Sequence, residues 1–170
     1  MRKISVIGTG FIGTSLCMAI KKANQDLHIV GYDLNHDHVS RAYKLGAVDK
    51  IEVDLCKVVE GIDMVILSTP VKDMKNVMKA IAGKLGDECV VTDTGSTKEM
   101  VAGWAEEILP FTFNFVGGHP LVNVDTAGFN DADADLFQSH PYCVIPGHGT
   151  RKVAVERVIE LVDMVGAFPY

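Results

Sequence analysis

The sequence predicts an α/β domain built on a doubly wound, mostly parallel sheet flanked by helices. Three observations carry that prediction. Apolar runs of strand length alternate with helix-length amphipathic segments along the chain, an order that puts helices on both faces of a parallel sheet. The run Met64-Val65-Ile66-Leu67 is apolar without alternation, as a strand covered on both faces requires. A glycine cluster follows the first apolar run and opens the first amphipathic segment.

The first strand is expected over Lys3–Ile7 and the first helix over Phe11–Ala23. Residues 27–32 read as the second strand and 38–45 as the second helix. Strand 63–67, helix 71–82, strand 89–92 and helix 98–108 follow. A short strand at 114–116 leads into an irregular stretch from 117 to about 131, in which Gly117 to Pro120 read as a turn. Strand 142–145, helix 151–165 and the start of another strand at 167–170 complete the series. No repeat, low-complexity tract or linker interrupts it, so the 170 residues are expected to form one domain.

Hydrophobic residues make up 48% of the chain and charged ones 22%, the balance of a soluble globular domain. The net charge of −6 and the scatter of the basic residues argue against a nucleic-acid partner, because phosphate neutralisation needs clustered Lys and Arg. Lys72, Lys75 and Lys79 recur at helical spacing and read as a solvated helix face. No stretch approaches the roughly 20 apolar residues of a membrane span. The basic start Arg2-Lys3 and the short apolar run after it are cut off by Gly8 before any signal-peptide cleavage site. Cys17, Cys56, Cys89 and Cys143 stand far apart, with no C-x-x-C pair. That pattern predicts reduced thiols in a cytoplasmic protein, with no disulfide frame and no metal site.

Gly8-Thr9-Gly10-Phe11-Ile12-Gly13 matches G-x-G-x-x-G. Alone the pattern is short and common; between a strand and a helix it signals a dinucleotide-binding Rossmann unit. Gly8 would permit the tight turn, Gly10 the approach of backbone to pyrophosphate, and Gly13 close helix–strand packing. The free N–H groups at the helix start, around Phe11 and Ile12, would face the phosphates. Asp33 lies 20 residues beyond Gly13 at the end of the second strand, where a carboxylate accepts hydrogen bonds from the adenosine ribose. It would repel a 2′-phosphate, and Leu34 and Asn35 bring no arginine to hold one. NAD is therefore expected over NADP.

Three further segments fall at strand ends. Ser68-Thr69-Pro70 follows residues 63–67; its hydroxyls could line the ribose–nicotinamide path or cap the next helix, which Pro70 suits as a start. Asp93-Thr94-Gly95-Ser96-Thr97-Lys98 follows residues 89–92, and Ser96 could cap a helix or point into the cleft. Gly117-Gly118-His119-Pro120 holds a histidine, the side chain suited to proton transfer near neutral pH. A lone histidine is also often structural, and the residue itself leaves both roles open. The other five histidines have no comparable setting.

Taken together, the glycine loop through Thr14-Ser15-Leu16, Ser68-Thr69-Pro70, Asp93 to Lys98, Gly117 to Pro120, and Asp131-Ala132-Asp133-Ala134-Asp135-Leu136-Phe137 resemble the prephenate/arogenate dehydrogenases of tyrosine biosynthesis. The likeness runs over essentially all of the chain in the family's order, and the D-x-G-S-x-K and G-G-H-P segments are its specific part. It implies NAD-dependent oxidative decarboxylation of prephenate or arogenate. His119 would be the catalytic histidine bonded to the substrate hydroxyl, and Ser96 would assist it. Gly8, Gly10, Phe11, Ile12, Gly13, Asp33, Ser68, Thr69, Pro70 and Gly95 would hold the cofactor.

Two departures stand out. The family usually carries Met-Ala-Gly-Ser/Thr-Glu after His-Pro, whereas this chain has Leu121-Val122-Asn123-Val124-Asp125. That makes Asn123 a candidate substrate contact. The family's C-terminal helical domain, which forms the homodimer and supplies an arginine for the substrate carboxylate, has no counterpart before Tyr170. Lys98 is the one basic residue within the motifs and so the candidate cation for the substrate. The expectation is a cofactor domain that binds NAD and turns over slowly or not at all alone. The competing readings are another NAD-dependent hydroxyacid-type dehydrogenase, or a non-catalytic NAD-binding module in which His119 is structural.

Overall fold

The computed structural model describes residues 1–122 and 131–170. The elements follow the chain as β1 (Lys3–Ile7), α1 (Phe11–Ala23), β2 (His28–Tyr32), α2 (His36–Lys44), β3 (Lys50–Ile51), β4 (Met64–Leu67), α3 (Val71–Ile81), β5 (Val90–Asp93), α4 (Glu99–Ile108), β6 (Phe115–Pro120), β7 (Pro141–Pro146), α5 (Lys152–Met164) and β8 (Phe168–Pro169). Among the described residues the strands form one sheet in the order β3-β2-β1-β4-β5-β6-β7-β8. Pairing is parallel from β3 through to β6, antiparallel between β6 and β7, and parallel again between β7 and β8. This is the expected doubly wound, mostly parallel Rossmann sheet flanked by helices.

Alternation along the strands divides the core. Ile4, Val6, Ile29, Met64, Ile66, Val116 and Tyr142 face α1 and α5, joined by Leu16, Ile20, Val158 and Leu161. Ile7, Val65, Leu67, Val91 and Phe115 face the other way, against Met74 and Met78 of α3 and Val101 and Ala105 of α4. All four residues of β4 are buried, which is why its sequence shows no alternation. Lys21 and Lys22 close the last turn of α1, where cations favour the negative end of the helix dipole.

Most element ends fall within two residues of expectation, and the differences have local causes. α2 begins at His36 because the Asn35 side chain accepts the Asp37 N–H at 3.0 Å, a cap that reading from residue 38 overlooked. β3 is two residues long, too short to show any periodicity. The larger correction concerns Gly117 to Pro120, which form strand and no turn: Gly118 pairs with Val144 and His119 with Cys143. A Cβ on Gly118 would overlap the Asp93 carbonyl oxygen and sit 3.0 Å from Thr92 Oγ1. These glycines thus allow close strand approach. The capping alternatives also fail, since the N-caps of α3 and α4 are Pro70 and Lys98, with no side-chain cap on either.

The cysteines are free, with Cys17 and Cys89 buried and their thiols pushed up to about 12 by that burial. Lys72 and Lys79 are exposed on α3, and Lys75 reaches Glu107 at 3.0 Å. Among the described residues no group of three metal-ligating side chains forms, and no helix is long and apolar enough to cross a membrane.

Phe137, from the segment before β7, is fully buried in the core beneath α1 and α5. Phe137→Ala is expected to destabilise the domain by about 3–5 kcal/mol, read as a lower urea midpoint at unchanged m-value.

Candidate active site

The strand order reverses between β1 and β4, the place where open α/β sheets bind ligands at their carboxyl ends. A cleft of about 1020 Å³ opens there. Of the residues singled out from the sequence, Gly8, Gly10, Phe11, Ile12, Asp33, Ser68, Thr69, Pro70 and Ser96 line it. Gly13, Gly95, Lys98 and His119 do not, and Asn123 lies outside the described residues.

The glycine loop is built by exclusion. Gly8 has φ +98°, and a Cβ there would press into the Ser68 carbonyl and the Thr69 nitrogen of the neighbouring strand end. A Cβ on Gly13 would overlap the Gly8 carbonyl oxygen itself. At Gly10 the opposite holds: nothing lies within 4 Å of its Cβ position, so the chain leaves open space in front of the backbone. Gly10 is also the N-cap of α1, with no side-chain cap and no acidic residue in the first turn. Uncapped N–H groups beside open space at a helix start suit a phosphate group. These residues therefore fit a dinucleotide.

Asp33 is held beside the glycine loop, at the end of β2. One carboxylate oxygen accepts the Thr9 N–H at 2.7 Å and the Thr9 hydroxyl at 3.3 Å, and the other accepts the Asn35 N–H at 2.8 Å. His38 Nδ1 lies 3.5 Å from the first oxygen. His38 also lines the cleft, although nothing in the sequence reading singled it out. Its signal was positional: it follows Asp33 by five residues on the first turn of α2.

At the ends of β4 and β5, the Thr94 hydroxyl donates to Ser68 Oγ at 3.1 Å. Ser68 thus ties the two strand ends together beneath the glycine loop. Thr69 Oγ1 is buried with no partner among the described residues, an acceptor and donor available to a ligand in the cleft. Gly95 donates its N–H to Asp93 at 2.9 Å, and a Cβ on Gly95 would meet the same carboxylate at 2.9 Å.

His119 stands one strand beyond Ser96, near the carboxyl end of β6, and so on the same rim as the cleft. Its Nδ1 is buried with no hydrogen-bond partner among the described residues. Burial, then the nearby Lys98 ammonium, hold its pKa below the ordinary 6.5, with the Thr94 backbone and Asp93 pulling the other way. A neutral imidazole with an unclaimed nitrogen can accept a proton from a hydroxyl brought to it. Lys98 is engaged elsewhere: its ammonium pairs with fully buried Asp93 and donates to the Gly118 carbonyl at 2.6 Å. Burial pushes the Lys98 ammonium down from the ordinary lysine value, and Asp93 opposes that.

Residues 16–169 match the model of the prephenate dehydrogenase nucleotide-binding domain. The chain is 34% identical over 165 residues to the prephenate dehydrogenase of Bacillus subtilis strain 168, covering 96% of this chain and 44% of that protein. It is 35% identical over 144 residues to the prephenate dehydrogenase of Lactococcus lactis subsp. cremoris, covering 84% and 40% respectively. The crystal structure of the Aquifex aeolicus prephenate dehydrogenase, solved with hydroxyphenyl propionate and NAD⁺, superposes with a TM-score of 0.93 at 29% identity. It matches over 100% of this chain and 59% of that one. The chain therefore spans less than half the length of these two curated relatives.

Gly13→Ala is expected to cost about 1–3 kcal/mol, because its methyl meets backbone that cannot rotate away. Gly10→Ala, with open space at its Cβ, should cost less than Gly13→Ala. Paired urea denaturation curves check the contrast.

Proposed function

The chain belongs to the prephenate dehydrogenase family as a nucleotide-binding domain, and from that premise we propose that it holds NAD and the proton acceptor for oxidative decarboxylation of prephenate or arogenate. The observation that carries the reading is His119 Nδ1, buried and without a hydrogen-bond partner among the described residues, on the rim that also bears the glycine loop. Bound NAD would supply the hydride acceptor. The ring carbon bearing the hydroxyl would lose its hydride, carbon dioxide would leave, and the ring would become aromatic.

What the chain's own residues do is limited and specific. The N–H groups at the start of α1 hold the pyrophosphate, and Asp33 accepts hydrogen bonds from the adenosine ribose. Thr69 and Ser96 line the path between that end and the chemistry. His119 takes the proton of the substrate hydroxyl as hydride leaves, and returns it to the phenolate oxygen once the ring is aromatic. Aromatisation supplies much of the driving force, so positioning and water exclusion are the remaining tasks. With Lys98 bound to Asp93, the substrate carboxylates call for cations from elsewhere. In the proposed enzyme these come from the part of the protein beyond this domain, which also forms a homodimer.

The test is NADH formation by the full-length protein from NAD with prephenate, and with arogenate alongside. His119→Asn should lower the rate by about 10²–10⁴-fold while dinucleotide affinity is kept; an unchanged rate would overturn the assignment. The working base is the neutral imidazole, present above its pKa. Because that pKa is lowered, kcat/KM should stay level through neutral pH and fall only below the usual histidine range. Asp33→Ala should weaken NADH binding and narrow the preference over NADPH, measured by fluorescence titration of both.

A further inference from the structure

The β5–β6 ladder registers Val91 with Phe115 and Thr92 with Val116, and no further. Beyond it a side chain takes over from the backbone. Asp93 Oδ1 accepts the Gly118 N–H at 3.1 Å, while Oδ2 accepts the Gly95 N–H at 2.9 Å and pairs with Lys98. Lys98 in turn donates to the Gly118 carbonyl at 2.6 Å. Both backbone groups of the residue before His119 are thereby gripped by one buried ion pair, and the Gly118 position has no room for a Cβ.

We propose that Asp93 and Lys98 are a positioning pair for His119, fixing the strand that presents its imidazole and placing a positive charge beside it. This rests on the proposed role of His119 as proton acceptor. A buried ion pair is poor stabilisation in itself, because desolvation of both charges offsets their attraction. Stability therefore does not account for a fully buried carboxylate here, whereas its hydrogen bonds do: those to backbone end on Gly95 and Gly118.

Among the described residues, the titratable groups around His119 include Lys98 from the start of α4, Asp93 from β5, and Cys143 and Tyr142 from β7. Cys143 is the cross-strand partner of His119. The Tyr142 phenol is held protonated by burial. Of the two charged groups Lys98 has the larger effect on His119, and it disfavours the imidazolium. The same pair thus sets where the base stands, and its Lys98 member adds to burial in disfavouring the imidazolium.

The experiment is an NMR titration of the His119 imidazole in this chain, its resonance assigned by loss in His119→Asn. Lys98→Met should move the midpoint to higher pH, and Lys98→Arg, which keeps the charge, should leave it near the wild-type position. Since Lys98→Met strands a buried carboxylate and can unfold the domain, Asp93→Asn/Lys98→Met is the second variant. It removes both charges and should also move the midpoint upward, because the larger field is lost. In the full-length enzyme the acidic limb of kcat/KM should shift with it, and NADH affinity should not. A folded variant of either kind in which His119 titrates at the wild-type midpoint overturns the proposal. The NMR reading needs no turnover, so an enzyme inactive toward both substrates would contradict the proposed function alone.

Discussion

The structure depends on a packing constraint at the turn from β1 into α1: neither Gly8 nor Gly13 has room for a side chain. With only hydrogens there, the Gly8 carbonyl sits against α1 and the Gly8 Cα against the Ser68 peptide. That closeness draws the start of α1 over the ends of β1 and β4, where the strand order reverses. The cleft, its row of uncapped N–H groups and its open face at Gly10 all follow. Side chains at these positions would tilt the helix away and leave the N–H groups aimed at solvent.

The two ends of the site use charge in opposite ways. Among the described residues lining the cleft, Asp33 and Asp73 are acidic and no lysine or arginine is present. A pyrophosphate there would be held by backbone N–H groups and the helix dipole, which bind an anion without desolvating a side-chain cation. At the β5–β6 end, a full positive charge is taken inside the fold, on Lys98, and tied to Asp93. Its place is beside His119, and its partners are the strand backbone and a buried carboxylate. Ser68 links the two ends, touching the glycine loop on one side and Thr94 on the other.

Much of this was legible in the sequence because it depends on local rules. The unbroken apolar run at Met64–Leu67, the glycine loop and Asp33 fall where chain-local steric and hydrogen-bonding demands place them. What escaped depends on residues distant along the chain. Gly117 and Gly118 look like a turn until β7 and Asp93 are brought beside them, when their small size proves to serve strand contact. Ser68 and Ser96 precede helices in the sequence, so capping was a fair alternative, yet neither caps one. The sequence offers Lys98 as a cation for substrate, and it does not reveal that Asp93, five residues earlier, is fully buried and pairs with it. His38 is marked only by its place five residues after Asp33, and the fold of α2 against β2 brings the two together.

The most direct test of the central claim is a calorimetric titration of this chain with NADH, with NADPH in parallel. The account predicts saturable binding of one NADH per chain, tighter than NADPH, because the Asp33 carboxylate lines the cleft and would repel a 2′-phosphate, and no lysine or arginine lines it among the described residues. Absence of saturable NADH binding by the folded chain, or tighter binding of NADPH, would contradict it.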